Sequence, residues 1–458
     1  MVRVLSPSFQ RRLVLALLSL IVTACASEQG KPPTRGAVTS PARANTQLKA
    51  RETEPDIAGR LATERAPVDA TMGVHQARGN SRTLEIHVFA AGQANSMLIV
   101  GPEPDNKTLL VDAGEPMRGG ATNHTLVYDR LQSILGGAKL DYVVLTHFHA
   151  DHGGMPSFGD CNKRRGAKST GLFSLFDQQD GPFEALTLLD PGDDDDAYIP
   201  THNGVHCGIA SEAPAWIASH HLRERRTPSI GTSDISLGDS VTVNVVAVSG
   251  RVADGDTGLM NQLAGANPNL YSDSQPASEN DRSIAFFLRF GDFGMFVAGD
   301  LTGSKIGNES NLYEIRRFGA NATVYTNVES YLVKHLKEAG AFSKVDIYHA
   351  DHHGSGNSSN ADLAGALQPE VVIYSAGTNN TYGHPSPDVV EEFCAWTSHQ
   401  YVTSGVDTPV WPNGFPSRCG QVVGNDIDII VMDEGKSYSV NGETFTATSH
   451  SDNRGLNR

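Results

Sequence analysis

Apolar and polar residues first alternate at Leu84-Glu85-Ile86-His87-Val88-Phe89, the period of a half-buried strand. Ser96 to Val100 and Thr108 to Val111 read as two more strands. Leu131 to Ile134 belongs to a helix, and Tyr142 to Leu145 reads as a buried strand. From about 158 to 238 the pattern breaks into a stretch rich in Gly, Asp and Pro, which reads as a long irregular insertion. Strands resume at Val241 to Val248, Ile284 to Phe290 and Gly294 to Val297. Asn327 to Ala339 places Val328, Tyr331, Leu332 and Leu336 on one helical face, and Gly340 stops it. Val345 to Tyr348 and Val371 to Tyr374 read as strands, and Pro387 to Cys394 as a helix opened by its proline. From Ile427 to Ala447 alternation returns, broken at Asp433-Glu434-Gly435-Lys436 and at Asn441-Gly442, both hairpin signals. The pattern predicts two β-rich halves. Residues 26 to about 81 have no apolar period; Pro32, Pro33, Pro41, Pro55 and Pro67 are scattered there, as in a tether.

The N-terminus reads as an address. Arg3, Arg11 and Arg12 precede the apolar run Leu13 to Ala24, too short for a comfortable membrane span but right for a secretory signal. Val22-Thr23-Ala24-Cys25 resembles a bacterial lipobox, which implies lipidation of Cys25 and a membrane anchor there. Ala26, where an Asp would imply inner-membrane retention, implies the outer membrane. The expected organisation is therefore a signal peptide over 1–24, a tether over 25–81, a main domain over 82–435 and a β tail over 436–458.

The 458 residues carry a formal charge of −16, and loss of residues 1–24 removes three arginines and no acid, taking it to −19. Such a surface repels phosphate backbones, so no stable nucleic-acid binding is expected. With 39% hydrophobic and 19% charged residues the chain reads as globular rather than disordered. Four cysteines besides Cys25 allow three pairings, and nearness in sequence favours Cys161–Cys207 and Cys394–Cys419.

One constellation dominates the chemistry. The strand ending at Leu145 runs into Thr146-His147-Phe148-His149-Ala150-Asp151-His152-Gly153-Gly154. Alternation points His147 and His149 the same way, and Asp151 and His152 follow the bend toward a second point. Imidazole and carboxylate suit zinc, manganese or iron, and two neighbouring metals can share a water and hold both sides of a displacement. Neither G-x-S-x-G nor a Walker A segment occurs, so serine-hydrolase and nucleoside-triphosphatase readings lack support. Ser355, Ser358 and Ser359 read as caps for the helix that follows.

The H-x-H-x-D-H motif resembles that of the metallo-β-lactamase superfamily. Further segments extend the likeness: Gly92-Gln93-Ala94-Asn95-Ser96, Leu109 to Gly114 with Asp112, Phe296-Val297-Ala298-Gly299-Asp300, Ala350-Asp351-His352-His353-Gly354-Ser355, and Ser375 to Pro385 with Tyr382-Gly383-His384-Pro385. They look like the branch that holds the hydrolase domain of ComEC-type competence proteins and the secreted phosphorylcholine esterases. The resemblance implies an α/β (α+β) fold, the αββα sandwich, here with the 158–238 insertion and a C-terminal β-hairpin region. It implies two divalent metal ions, zinc first and manganese as the alternative. His147 and His149 would hold one, Asp151, His152 and His353 the other, and Asp300 would bridge them. Asp112 would hold the metal loop. His352 would serve as proton donor or hydrogen-bond partner, its order with His353 left open, and His384 would contact substrate or orient a ligand. Members of the superfamily commonly add a third histidine to the first metal. His206 and His202 are the candidates here, and the branch often lacks this ligand. The implied activity is hydrolysis of a small or polymeric phosphodiester outside the cytoplasm by a metal-activated water, with Asp151, His352 and His384 as catalytic residues. The alternatives are a lactamase- or lactonase-type carbonyl hydrolase and a non-catalytic binding lipoprotein.

Overall fold

The computed structural model describes residues 82–448, apart from 116, 119–120, 123–124, 138, 158–167, 178–181, 193–203, 253–278, 304–326, 341, 343, 379–381 and 408. The signal, the tether with Cys25, Cys161 and His202 lie outside these residues. The first half contains β1 (Leu84–Val88), β2 (Ser96–Val100), β3 (Thr108–Ala113), a hairpin of β4 (Met117–Arg118) and β5 (Ala121–Thr122), α1 (Leu126–Leu135), β6 (Lys139–Val144), α2 (Ala150–Gly153), α3 (Leu172–Asp177), β7 (Glu184–Leu189), α4 (Gly204–Ala218) and β8 (Leu222–Arg226). There follow β9 (Val241–Val248), β10 (Arg251–Val252), β11 (Ala285–Phe290), β12 (Phe293–Val297), α5 (Val328–Glu338), β13 (Ile347–His349), α6 (Ala361–Leu367), β14 (Val371–Tyr374), α7 (Pro387–Cys394), β15 (His399–Val402), β16 (Gly420–Val422), β17 (Ile427–Met432), β18 (Ser437–Val440) and β19 (Glu443–Thr446). A nine-stranded sheet runs β19-β18-β17-β1-β2-β3-β6-β7-β8, and an eight-stranded sheet β10-β9-β11-β12-β13-β14-β15-β16. In each, antiparallel pairing gives way to parallel pairing, from β3 onward in the first and from β12 onward in the second.

The alternation of the strands sorts their side chains into layers. Leu84, Ile86 and Val88 of β1 and Met97 and Ile99 of β2 meet Val243, Phe286, Leu288 and Met295 of the other sheet in the central core. The opposite faces take helices: α1, α3 and α4 bring Val127, Phe176 and Trp216 to the first sheet, while α5, α6 and α7 bring Leu332, Leu363 and Phe393 to the second. This is the αββα sandwich. Each fully buried Leu, Ile or Phe contributes about 1.5–3 kcal/mol, so the central layer supplies most of the drive to close the sheets together. Helix ends follow local chemistry: Asn327 accepts from Ser330 N and caps α5, and Asn360 accepts from Leu363 N and caps α6. The cap of α6 is thus Asn360 rather than Ser355, Ser358 or Ser359; Ser358 donates instead to the Asp351 carbonyl.

Two expectations need correction. The stretch 158–238 is no mere irregular insertion, because β7 pairs with β6 and β8 with β7 as the parallel end of the first sheet. β8 reads Leu-Arg-Glu-Arg-Arg and only Leu222 is fully buried, so charges that protect an edge hide its strand period. Residues 436–446 form the expected hairpins, β18 with β17 and β19 with β18, but they extend the first sheet through β17 and β1 rather than starting a separate tail. Cys394 and Cys419 form the expected disulfide. Cys207 is also disulfide-bonded, and Cys161, its expected partner, lies outside the described residues.

Candidate metal centre

Five loops converge from the C-terminal ends of parallel strands. β3 ends at Asp112–Ala113, β6 runs into His147, β12 into Asp300, β13 into His352 and His353, and β14 into Ser375. Parallel strands aim their following loops to one side, which is where α/β folds place their chemistry.

The first loop is organised by Asp112, buried at a φ of 58°. Its Oδ1 accepts from Thr146 N at 2.7 Å. Its Oδ2 accepts from the Thr146 hydroxyl at 2.9 Å, the Asn95 amide at 2.8 Å and His152 Nδ1 at 2.7 Å. His152 therefore keeps a proton on Nδ1, which leaves Nε2 as its ligand atom. The Thr146 proton is committed to Asp112, so the hydroxyl accepts from His147 Nδ1 at 3.2 Å and His147 Nε2 is bare as well. That nitrogen lies 2.9 Å from His149 Nδ1. The fit is close: a Cβ on Gly114 would fall 1.9 Å from the Asp151 carbonyl oxygen, so this position takes only glycine.

The second loop turns through the left-handed region at His352 (φ 50°) and His353 (φ 57°). His353 Nδ1 donates to the Ser375 carbonyl at 2.8 Å, which bares its Nε2. That nitrogen faces His152 Nε2 at 3.3 Å and Asp151 Oδ2 at 3.5 Å. Asp300 stands between the loops, 2% exposed, with Oδ1 making no hydrogen bond. Oδ1 is 3.1 Å from His152 Nε2 and 3.8 Å from His353 Nε2; Oδ2 is 3.7 Å from His147 Nε2 and 3.6 Å from His352 Nε2.

Imidazole nitrogens and carboxylate oxygens thus face one another, out of water except at Asp151, which opens to solvent. Such an arrangement is costly unless a cation sits among them. The donors fit divalent metals that accept imidazole and carboxylate. His147, His152 and Asp300 form one group whose ligand atoms lie within 4.8 Å of one another, and Asp151, His152 and His353 form a second. Burial would raise the Asp300 carboxyl, but His152, His352, His353 and His147 hold it well below the usual carboxylate range. Burial and the neighbouring His152 hold His147 well below the ordinary histidine range. Without a metal, burial lowers His152, yet Asp300 and Asp112 pull it well above that range, so its Nε2 then carries a proton toward Asp300 Oδ1, and a bound cation would take that proton's place.

His384 lies beside this group rather than in it. Its ring is 5.4 Å from that of His352 and stacks at 15° and 6.0 Å with His353. Gln93 Nε2 donates to its Nδ1 at 2.9 Å, so the proton sits on Nε2. Burial keeps it well below the ordinary range and neutral. His206 is not brought into either donor group: it sits on α4 with its ring 4.9 Å from Phe148.

The turn Glu279–Arg282 with Ser283 carries polar residues that sequence reasoning missed. All five are buried. Glu279 accepts from Phe148 N at 2.9 Å, the Asn280 amide lies 3.4 Å from His352 Nε2, Asp281 accepts from the Thr302 hydroxyl, and the Ser283 hydroxyl accepts from Asp300 N at 3.0 Å. Their one signal was a run of polar residues set directly before the apolar strand at Ile284. Gln93 and Asn95 lay inside a recognised segment, but their partners could not be read from it.

Fold and donor set together give a metallo-β-lactamase-type αββα fold with a candidate centre for divalent metal. The model of the metallo-beta-lactamase superfamily matches residues 90–154, the span from the first loops through His152. ComE operon protein 3 of Bacillus subtilis (strain 168) is 28% identical over 116 residues, 25% of this chain and 12% of that protein's length. Among solved structures, the metallo-beta-lactamase fold protein YhfI from Bacillus subtilis covers 70% of this chain and 95% of its own, at 10% identity and a TM-score of 0.34. Zn(2+)-bound PqqB from Methylobacterium extorquens covers 75% and 99%, at 10% identity and a TM-score of 0.35. A diphosphatase of the PhnP family covers 69% and 94%, at 10% identity and a TM-score of 0.30. Likenesses this distant say nothing of substrate.

Proposed function

We propose that this chain is a binuclear metallohydrolase that cleaves phosphodiesters outside the cytoplasm, tethered through Cys25 to the outer membrane. The observation that carries the reading is Asp300: a buried carboxylate whose two oxygens are each flanked by imidazoles from both loops. His147 and His149 would hold one ion, Asp151, His152 and His353 the other, with Asp300 shared. Zinc suits this set first and manganese second. When bound, the metals would activate a water and offset charge on the substrate oxygens. The chain's own part is positioning. Asp112 and the Ser375 carbonyl fix the tautomers of His152 and His353. His352 and His147 both stand on the Oδ2 side of Asp300. His384, neutral and held by Gln93, offers its Nε2 proton as a fixed donor to a substrate or leaving-group oxygen.

The choice of a phosphodiester rests on the Asp351-to-Ser355 and Tyr382-to-Pro385 segments, which resemble the branch with phosphoesterase members. The completeness of the donor set speaks against a binding protein that has lost its chemistry. The Cys394–Cys419 disulfide supports an oxidising compartment, as export requires. The test is hydrolysis of bis(p-nitrophenyl) phosphate by the protein as purified, after chelation, after return of zinc or manganese, and as Asp151→Ala. Activity lost on chelation, restored by metal and absent from the variant is expected. Two bound metals with no turnover would sink the phosphodiester reading.

A further inference from the structure

The outward path from the metal centre is built of aromatic rings. His353 lies in the donor cluster, and His384 stacks with it at 6.0 Å and 15°. Tyr382 stacks with His384 in turn, at 5.8 Å and 28°. The three near-parallel rings step from the buried carboxylates toward solvent. Tyr382 is 56% exposed, the most open of the large apolar side chains exposed among the described residues. A single exposed aromatic is ordinary. One in ring register with a site histidine is placed to touch whatever reaches the site.

The platform is also held in place. Gln93 fixes His384, and Trp411 Nε1 donates to the Pro385 carbonyl at 2.9 Å. A rigid aromatic surface loses little freedom when a flat partner stacks on it. The net charge of −16 disfavours a long polyanion at this surface, but not a single nucleotide ester.

Resting on the phosphodiester reading above, we infer that Tyr382 forms a stacking subsite for a planar aromatic group carried on one ester arm of the substrate, a nucleobase being the natural example. Substrates with such an arm are bound in preference to those without it.

The test uses the full chain, Tyr382→Ala and Tyr382→Phe. Calorimetry compares thymidine 5′-monophosphate with deoxyribose 5-phosphate. Kinetics compare thymidine 5′-(p-nitrophenyl phosphate) with methyl p-nitrophenyl phosphate. The wild type is expected to bind the nucleotide about tenfold tighter than the sugar phosphate, and to favour the thymidine ester by a similar factor through KM. Tyr382→Ala is expected to erase both ratios and Tyr382→Phe to keep them. Equal binding of the two phosphates by the wild type would overturn the subsite. So would an alanine variant that keeps the ratios, or one that loses both esters in proportion, the mark of a structural role. If the binding ratio follows Tyr382 while neither ester is cleaved, the subsite stands and the phosphodiesterase reading fails. If both esters are cleaved without base preference, the subsite fails and the hydrolase reading stands.

Discussion

The loop after β6 and the loop after β13 deliver imidazoles to the same carboxylate, yet they are held in different ways. The first keeps ordinary backbone angles from Thr146 to Gly153 and is pinned by buried carboxylates, chiefly Asp112, which gathers four hydrogen bonds, with Glu279 on Phe148 N. The second is bent through left-handed angles at two successive histidines and is pinned by main-chain groups, His353 on the Ser375 carbonyl and His352 N on the Gly299 carbonyl. One loop spends a buried charge to set its geometry. The other spends backbone strain, about 1–3 kcal/mol for a residue held in a sparsely populated region. The difference says which half of the site a side-chain substitution can disturb and which half it leaves alone.

Asp300 is the point where the comparison ends, because both loops depend on it. Asp300→Asn should lower turnover by about a thousandfold or more, as several kcal/mol of charge stabilisation are lost. Bound metal, measured by elemental analysis, should fall below two ions per chain. Full metal content in this variant would show that the two loops assemble separate sites with no shared ligand.

Asp112→Ala tests the side-chain anchor. Loss of an outer partner that orients a ligating histidine costs about 10–100-fold in metal affinity or activity. Ser375→Ala is the matched change in the other half. It leaves the carbonyl that holds His353 and removes only a hydroxyl bonded to His349, so metal affinity should change little. Equal losses in a chelator competition would erase the distinction between the loops.

The same substitution in both loops sharpens it further. In metal-free protein, His147→Gly removes a fully buried ring from an unstrained site and should cost about 2–3 kcal/mol in urea unfolding. His352→Gly loses packing too, but glycine accepts the left-handed angle without penalty. Its stability should stay within about 1 kcal/mol of wild type. A His352→Gly variant as unstable as His147→Gly would mean that the strain inferred from its φ is not stored there.

What could be read along the chain follows this division. The outer strands of the first sheet were legible because their alternation is set by burial on one face, as in Leu84–Val88 and Ile427–Met432. The ligand-bearing loops were legible because six candidate donors fall into two short runs, His147–His152 and His352–His353, each next to an apolar strand. The supports were not. Gln93 and Glu279 act across long separations, as in the Gln93–His384 bond over 291 residues, Asn95 and Ser283 act across 17, and a single polar residue has no period to betray it. The parallel edge of the first sheet was hidden for the opposite reason: β8 is charged because it is an edge.

The side-chain-pinned half should also answer to pH away from the metal centre. His87 on β1 lies opposite Asp428 on β17, with Nδ1 2.7 Å from Oδ1, and Glu85 is 3.6 Å away. Burial alone would lower this imidazole, but the hydrogen bonds to Asp428 and Glu85 raise it to about 9. A histidine raised above its unfolded value of 6.5 binds more protons folded than unfolded between those two pH values. Its contribution is therefore complete below pH 6.5 and is lost as pH climbs through about 9. Asp428 is half exposed, so solvent screening cuts the effect to about 1–2 kcal/mol. Urea midpoints should fall between pH 6.5 and 9.5 in the wild type and fall less in Asp428→Asn, which lacks the charge that raises the imidazole. An identical pH slope in the two proteins would mean that the β1–β17 pair draws its stability from the apolar Leu84, Ile86 and Val88 face alone, and that this half is side-chain-pinned only around Asp112.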